Sequence, residues 1–116
     1  MIPIPLKFFA MQQTEFDLLR TLEKSPHASQ RELARKLNVS LGAVNYCMQA
    51  LVEKGWVKVG NFKASPNKWK YVYLLTPKGV KERAKLTRAF LARKLEEYER
   101  LEGEIELLRR ELDEKA

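Results

Sequence analysis

Apolar residues recur at helical spacing three times in the first half of the chain, and the pattern then changes to one of alternation. Phe16, Leu18, Leu19 and Leu22 form the first set; Thr14 with Asp17 reads as its opening and Ser25-Pro26 as its end, predicting a helix over about 14–23. Leu33, Ala34 and Leu37 form the second, preceded by Ser29 with Glu32 three residues on. That pair is a capping box, which satisfies backbone donors otherwise orphaned at a helix start. Asn38-Val39-Ser40 follows as a tight turn: Asn tolerates non-helical backbone angles, Val39 can plug the angle between helices, and Ser40 can cap the next one. On that third helix, spanning 41–54, Val44, Cys47, Met48 and Leu51 fall on one side at about 100° per residue, and Gly42, Asn45, Tyr46 and Gln49 on the other. Gly55 ends it as a left-handed cap.

After Gly55 the residues are those that strands favour: Trp56, Val57, Val59 and Phe62, then Tyr71, Val72, Tyr73, Leu74 and Leu75. Between these runs, Lys63 to Lys70 contains the turn cluster Ser65-Pro66-Asn67, so the two pair as a hairpin joined by a basic loop. Thr76-Pro77 is a helix start, with Thr as cap and Pro at the first position, where its missing donor costs nothing. In the long helix that follows, Leu91, Tyr98, Ile105 and Leu112 recur every seven residues with Leu101 and Leu108 between them, a coiled-coil seam. Lys94 at a seam position and Gly103 within the helix make the seam short and imperfect; a parallel pair would set Glu97 against Glu102 yet let Glu104 meet Arg109, so parallel or antiparallel pairing stays open. A single chain offers these residues no cover, so a second copy of the helix is the expected partner. A helix folded back on its own domain is the alternative.

The expected architecture is mainly α with a small β element: three helices, a two-stranded hairpin or wing, and a long C-terminal helix. It divides into an extension over 1–13, a domain over 14–76 and a dimerising helix over 77–116. At 116 residues the chain suits one small domain with an appendage. The extension is unusual, because Pro3 and Pro5 resist helix while Ile2, Ile4, Leu6, Phe8 and Phe9 are too apolar for a solvated tail. It reads either as an arm packing on a partner or as residues upstream of a true start at Met11.

Charge separates the two ends of the chain. Residues 1–95 hold 18 Lys and Arg against 6 Asp and Glu, a net +12, whereas residues 96–116 hold 4 against 9, a net −5. A basic body with an acidic end is expected where one part faces phosphates and the other does not. No apolar run approaches the ~18 residues of a membrane span, and the opening segment makes a poor signal peptide, so the chain reads as cytoplasmic with no membrane partner.

Two short helices joined by a tight turn, the second showing small and amide side chains outward, is how a helix-turn-helix reads DNA. Asn45 and Gln49 suit bidentate pairing with adenine in the major groove, Tyr46 can reach a phosphate or a thymine methyl, and Gly42 allows close approach. Ser29, Gln30 and Ser40 at the helix starts, and Lys63, Lys68 and Lys70 on the hairpin, are the candidate backbone contacts. Trp56 and Trp69 read as packing anchors, since their spacing lacks the regular aromatic display of single-strand binders.

The stretch from Ser29 to Gly79 is similar to MarR-type winged-helix regulators, and looks closest to the small subgroup called EPS-associated regulators. The strings LGAVNYCMQALVEKGWVK and YLLTPKG carry that resemblance, which spans about Thr14 to the end of the chain. It implies a homodimeric transcription regulator with the 41–54 helix in the major groove of a palindromic operator; the subgroup's label implies exopolysaccharide genes as targets. Larger MarR proteins carry an Asp-x-Arg at the wing tip and bind small phenolic ligands. Here the tip reads Lys63-Ala64-Ser65-Pro66-Asn67-Lys68, without an arginine for the minor groove, and no effector pocket is legible.

A protein-interaction module without DNA readout is the main rival, because winged helices and coiled coils both serve as docking surfaces; the +12 body stands against it. Double-stranded RNA is a weaker option, since its narrow major groove would exclude the helix. An enzyme is not expected. The one histidine, His27, sits in a loop, the one cysteine, Cys47, lies on an inward face and reads as a small hydrophobe, with a redox-sensing thiol as the lesser alternative, and no phosphate-cradling glycine loop or metal-ligand spacing appears, so neither cofactor nor metal is implied.

Overall fold

A computed structural model describes the backbone of residues 6–65 and 68–115 and the side chains of 11–61 and 72–115. Its elements run α1 (Leu6–Lys24), α2 (Gln30–Leu37), α3 (Leu41–Glu53), β1 (Val57–Ser65), β2 (Lys68–Leu75) and α4 (Pro77–Lys115). They fall into two compact units, one reaching Arg83 and one starting at Ala84.

The helix starts and stops of α2 and α3 follow from local chemistry. Ser29 Oγ accepts from the Glu32 amide at 3.1 Å, and Ser40 Oγ accepts from the Ala43 amide at 3.0 Å. Asn38 takes the left-handed conformation at φ 54°, its N–H reaching back to the carbonyls of Ala34 and Arg35. After α3, Gly55 at φ +74° turns the chain into β1, where a side chain would be strained.

The core of the first unit forms where α1, α2, α3 and the base of the hairpin meet. Leu18, Leu19 and Leu22 of α1, Leu33 of α2, Val44, Met48 and Leu51 of α3 and Val57 of β1 are all at most 2% exposed. Each such burial contributes about 1.5–3 kcal/mol before conformational entropy is counted. A near-buried carboxylate completes the α1–α3 contact: Lys54 Nζ lies 2.9 Å from Glu15 Oε2 and also sits over the Trp56 ring, 4.8 Å from its centroid. Trp56 is half-buried.

The hairpin is antiparallel, with Val57 opposite Leu75, Val59 opposite Tyr73 and Lys63 opposite Trp69, and a register irregularity between Lys63 and Ser65. Its strands are longer than the sequence pattern suggests. Lys63, Lys68, Trp69 and Lys70 were expected in a loop but belong to β1 and β2, because ladder hydrogen bonding continues almost to the tip whatever the polarity of the side chains. The side chains of those four residues lie outside the described set.

α1 departs further from expectation. It begins at Leu6, so Thr14 sits in mid-helix and not at a helix start. A proline obstructs a helix only at and before its own position, and Leu6 to Gln13 contains no breaker, so the helix extends back to the residue after Pro5. The side chains of residues 1–10, and with them most of the expected extension, lie outside the described set.

Thr76 joins the hairpin to α4. Its hydroxyl donates to the Gly55 carbonyl and accepts from the Gly79 amide at 3.0 Å, while its own amide donates to Trp56 O at 2.9 Å. Arg83 Nη1, 2.9 Å from Glu23 Oε2, ties the same end of α4 to α1. From Leu91 to Lys115 every side chain is exposed.

Candidate nucleic-acid interface

α3 separates its two faces cleanly. Val44, Cys47, Met48 and Leu51 are buried, while Gly42, Asn45, Tyr46 and Gln49 are exposed, Tyr46 by 59%. The separation arises because the inner four residues recur at spacings of three and four and pack on α1 and α2, which leaves the amides no choice but solvent. Ser29, Ser40 and Arg31 are exposed beside this face, at the starts of α2 and α3. Both serine hydroxyls accept from backbone amides, so each keeps its O–H free to donate.

The amide face is connected, which sequence reasoning did not foresee. Asn45 Nδ2 donates to Gln30 Oε1 at 3.2 Å, and Gln30 Nε2 donates to Tyr73 Oη at 3.1 Å. Three side chains from α3, α2 and β2 therefore form one line. Gln30, expected only as a backbone contact, is half-buried with both ends of its amide occupied. Tyr73 was expected only as a strand residue. With Gln30 and Tyr73 43 positions apart, no local signal could have found the link.

Cys47 is 2% exposed. Burial pushes its thiol above the ordinary value, the Glu15 carboxylate adds to that, and the Lys54 ammonium opposes it. It packs as a small hydrophobe. A concavity of about 510 Å³ opens between α1 and α3, lined by Met11, Thr14, Val39, Ser40, Ala43, Tyr46 and Cys47. Among the described residues, no group of His, Cys, Asp and Glu is arranged to hold a metal ion, and no helix is long and apolar enough to cross a membrane.

On the second unit the expected seam residues Leu91, Tyr98, Leu101, Ile105, Leu108 and Leu112 are all exposed, by 41 to 71%. Leu95, 53% exposed, belongs with them. Its position next to the seam was readable, but it lies off the strict seven-residue repeat.

Residues 11–58 match the family described as winged helix-turn-helix DNA-binding. This part of the chain is a winged helix-turn-helix domain. Among curated proteins no sequence match is found. Solved structures share the fold. The Streptococcus mutans protein smu.1704 is 15% identical with a TM-score of 0.64, over 73% of this chain and 82% of its own. A MarR transcriptional regulator from Methanosarcina mazei is 24% identical with a TM-score of 0.52, over 65% of this chain and 52% of its own. Wild-type Lactococcus lactis ZitR in complex with DNA is 26% identical with a TM-score of 0.50, over 72% of this chain and 57% of its own. The chain thus spans little more than half of the last two. The winged helix-turn-helix domain shares its fold with that MarR regulator, and β1 and β2 form the wing.

Proposed function

We propose that this chain is a sequence-specific regulator of transcription that binds double-stranded DNA as a homodimer. One observation carries the reading: the solvent-facing side of α3 bears Gly42, Asn45, Tyr46 and Gln49 over a fully buried opposite side. An exposed row of amides on a helix anchored in this way suits base edges in the major groove. Ser29 and Ser40, at the N-terminal ends of α2 and α3, suit phosphates, since free backbone donors and the helix dipole both favour an anion there. Lys63, Lys68 and Lys70 belong to the wing, whose backbone contact rests on charge and chain position. The DNA-bound ZitR structure supports the partner class.

The second unit supplies the pairing. Seven apolar side chains along one stripe of α4 lie open to solvent, and their repeat of seven matches a left-handed pair of helices with a second copy. A two-fold pair of α3 helices would then meet successive major grooves of a roughly palindromic site, about one helical turn apart.

Selection of bound sequences from a random duplex pool, followed by affinity against salt, tests the proposal. A recovered palindrome and a steep fall in affinity with salt are expected. A pool that yields no preferred sequence, with affinity insensitive to salt, would instead mark the domain as a protein-docking module. Replacing Asn45 and Gln49 together by alanine should cost about 1–3 kcal/mol per bidentate pair on the selected site.

A further inference from the structure

We infer that Gln30 and Tyr73 are specificity-determining positioning residues, which hold the Asn45 amide in one orientation so that its remaining N–H and its carbonyl oxygen face a base pair together. The inference rests on the reading of α3 as the DNA-contacting helix and goes beyond it by assigning a role to residues that need not touch a base.

A primary amide carries two N–H donors and one carbonyl acceptor. On an exposed helix such a group turns freely, and a half-turn exchanges donor for acceptor, so it shows a base pair both patterns and discriminates poorly. Asn45 is not free in this way. One of its N–H groups is directed at Gln30 Oε1, 3.2 Å away, which leaves one N–H and Oδ1 for an outside partner. That remaining pair is what adenine needs in the major groove, where N7 accepts and the N6 amino group donates. Gln30 is itself tied at its other end, where its Nε2 donates to Tyr73 Oη at 3.1 Å. Tyr73 is half-buried on β2, opposite Val59 in the ladder, and its amide is bonded to the Pro26 carbonyl at 3.4 Å. The orientation is thus handed from the wing strand through the start of α2 to the face of α3.

A phosphate contact by Gln30 would behave differently. It would add affinity on every duplex, whereas a positioning role alters preference at the one base pair that Asn45 meets.

The experiment compares Gln30→Met, Tyr73→Phe, Asn45→Ala and the double variant Gln30→Met/Asn45→Ala in the full-length chain. Affinities are measured on the selected duplex, on duplexes substituted at each base pair, and on random duplex. Thermal melting confirms that each variant folds, and Tyr73→Phe, which removes a single hydroxyl, keeps the test available if Gln30→Met does not. We expect Gln30→Met and Tyr73→Phe to reduce discrimination roughly three- to tenfold at the base pair where Asn45→Ala acts, with random-duplex affinity unchanged. Gln30→Met should have no further effect once Asn45 is alanine. Equal weakening on all duplexes, or a loss that persists in the Asn45→Ala background, overturns the inference and makes Gln30 a direct contact. Silence of both variants where Asn45→Ala is effective also overturns it, leaving the reading of α3 intact. If Asn45→Ala itself changes no preference, the reading of α3 fails and the inference with it.

Discussion

The first turn of α4 lies against the carbonyl of Trp56 so closely that Gly79 is the only residue that fits. A Cβ built on Gly79 would fall 2.8 Å from the Trp56 carbonyl carbon and closer still to its oxygen. Those are backbone atoms, and the same oxygen accepts from the Thr76 amide at 2.9 Å, so neither side can yield. Gly79→Ala is therefore expected to destabilise the domain by about 1–3 kcal/mol, the cost of overpacking, read as a lower denaturant midpoint at unchanged slope. An unchanged midpoint would show that the approach of α4 to the wing base is looser than described.

Gly103 is the opposite case. Nothing lies within 4 Å of a Cβ built there, and the heptad that puts Tyr98 and Ile105 on the seam puts Gly103 on the far side of the helix. Gly103→Ala should stabilise α4 by about 0.8–1 kcal/mol, since alanine loses less backbone freedom on entering a helix. Melting followed by circular dichroism should shift upward. A decrease would mean that another chain packs on that side.

The seam itself is tested by Leu108→Asp. A carboxylate among the exposed apolar residues of α4 should abolish the proposed pairing by leaving a charge without a partner within the contact. Sedimentation should then give the mass of one chain, with the winged helix-turn-helix domain still folded. A dimer that survives both this substitution and Ile105→Asp would put the interface elsewhere.

These contrasts also mark what the amino-acid pattern could reveal. α2, its turn and α3 were legible because each boundary is set within four residues: Ser29 with Glu32, Asn38, Ser40 with Ala43, and Gly55. The inner and outer faces of α3 followed from helical periodicity alone. The start of α1 was not legible, because Thr14 and Asp17 look like a cap and only the helix-competent residues before them decide that they are not. The Asn45–Gln30–Tyr73 line and the clearance at Gly79 depend on residues 15 to 43 and 23 positions apart, and such contacts leave no periodic trace in a single chain.

Cys47 predicts how stability responds to alkali. Its folded thiol is held above the ordinary value of 9.0, first by burial and then by Glu15. Below that value both folded and unfolded chains keep the proton, and the contribution is fully present. Above it the unfolded chain releases its proton first, so stability falls as pH rises until the folded thiol also ionises. Cys47→Ala should flatten this part of the alkaline decline relative to the parent chain, and Glu15→Gln should make it shallower. Identical alkaline slopes in parent and Cys47→Ala chains would show that the thiol is not held in its neutral form.

Ser40 separates the stability of α3 from its approach to DNA. Its hydroxyl caps the helix through the Ala43 amide at 3.0 Å, a bond that an aspartate carboxylate can make equally well and with a favourable helix-dipole interaction. Ser40→Ala should cost about 1 kcal/mol of stability, whereas Ser40→Asp should melt at or above the parent temperature. On DNA the outcome reverses. If the start of α3 lies against a phosphate, the aspartate places two anions together, and Ser40→Asp should bind every duplex more weakly than Ser40→Ala, with the gap narrowing as salt is added. Equal affinities for the two variants at low salt would mean that the N-terminal end of α3 is turned away from the backbone, and with it the proposed approach of the helix to the groove.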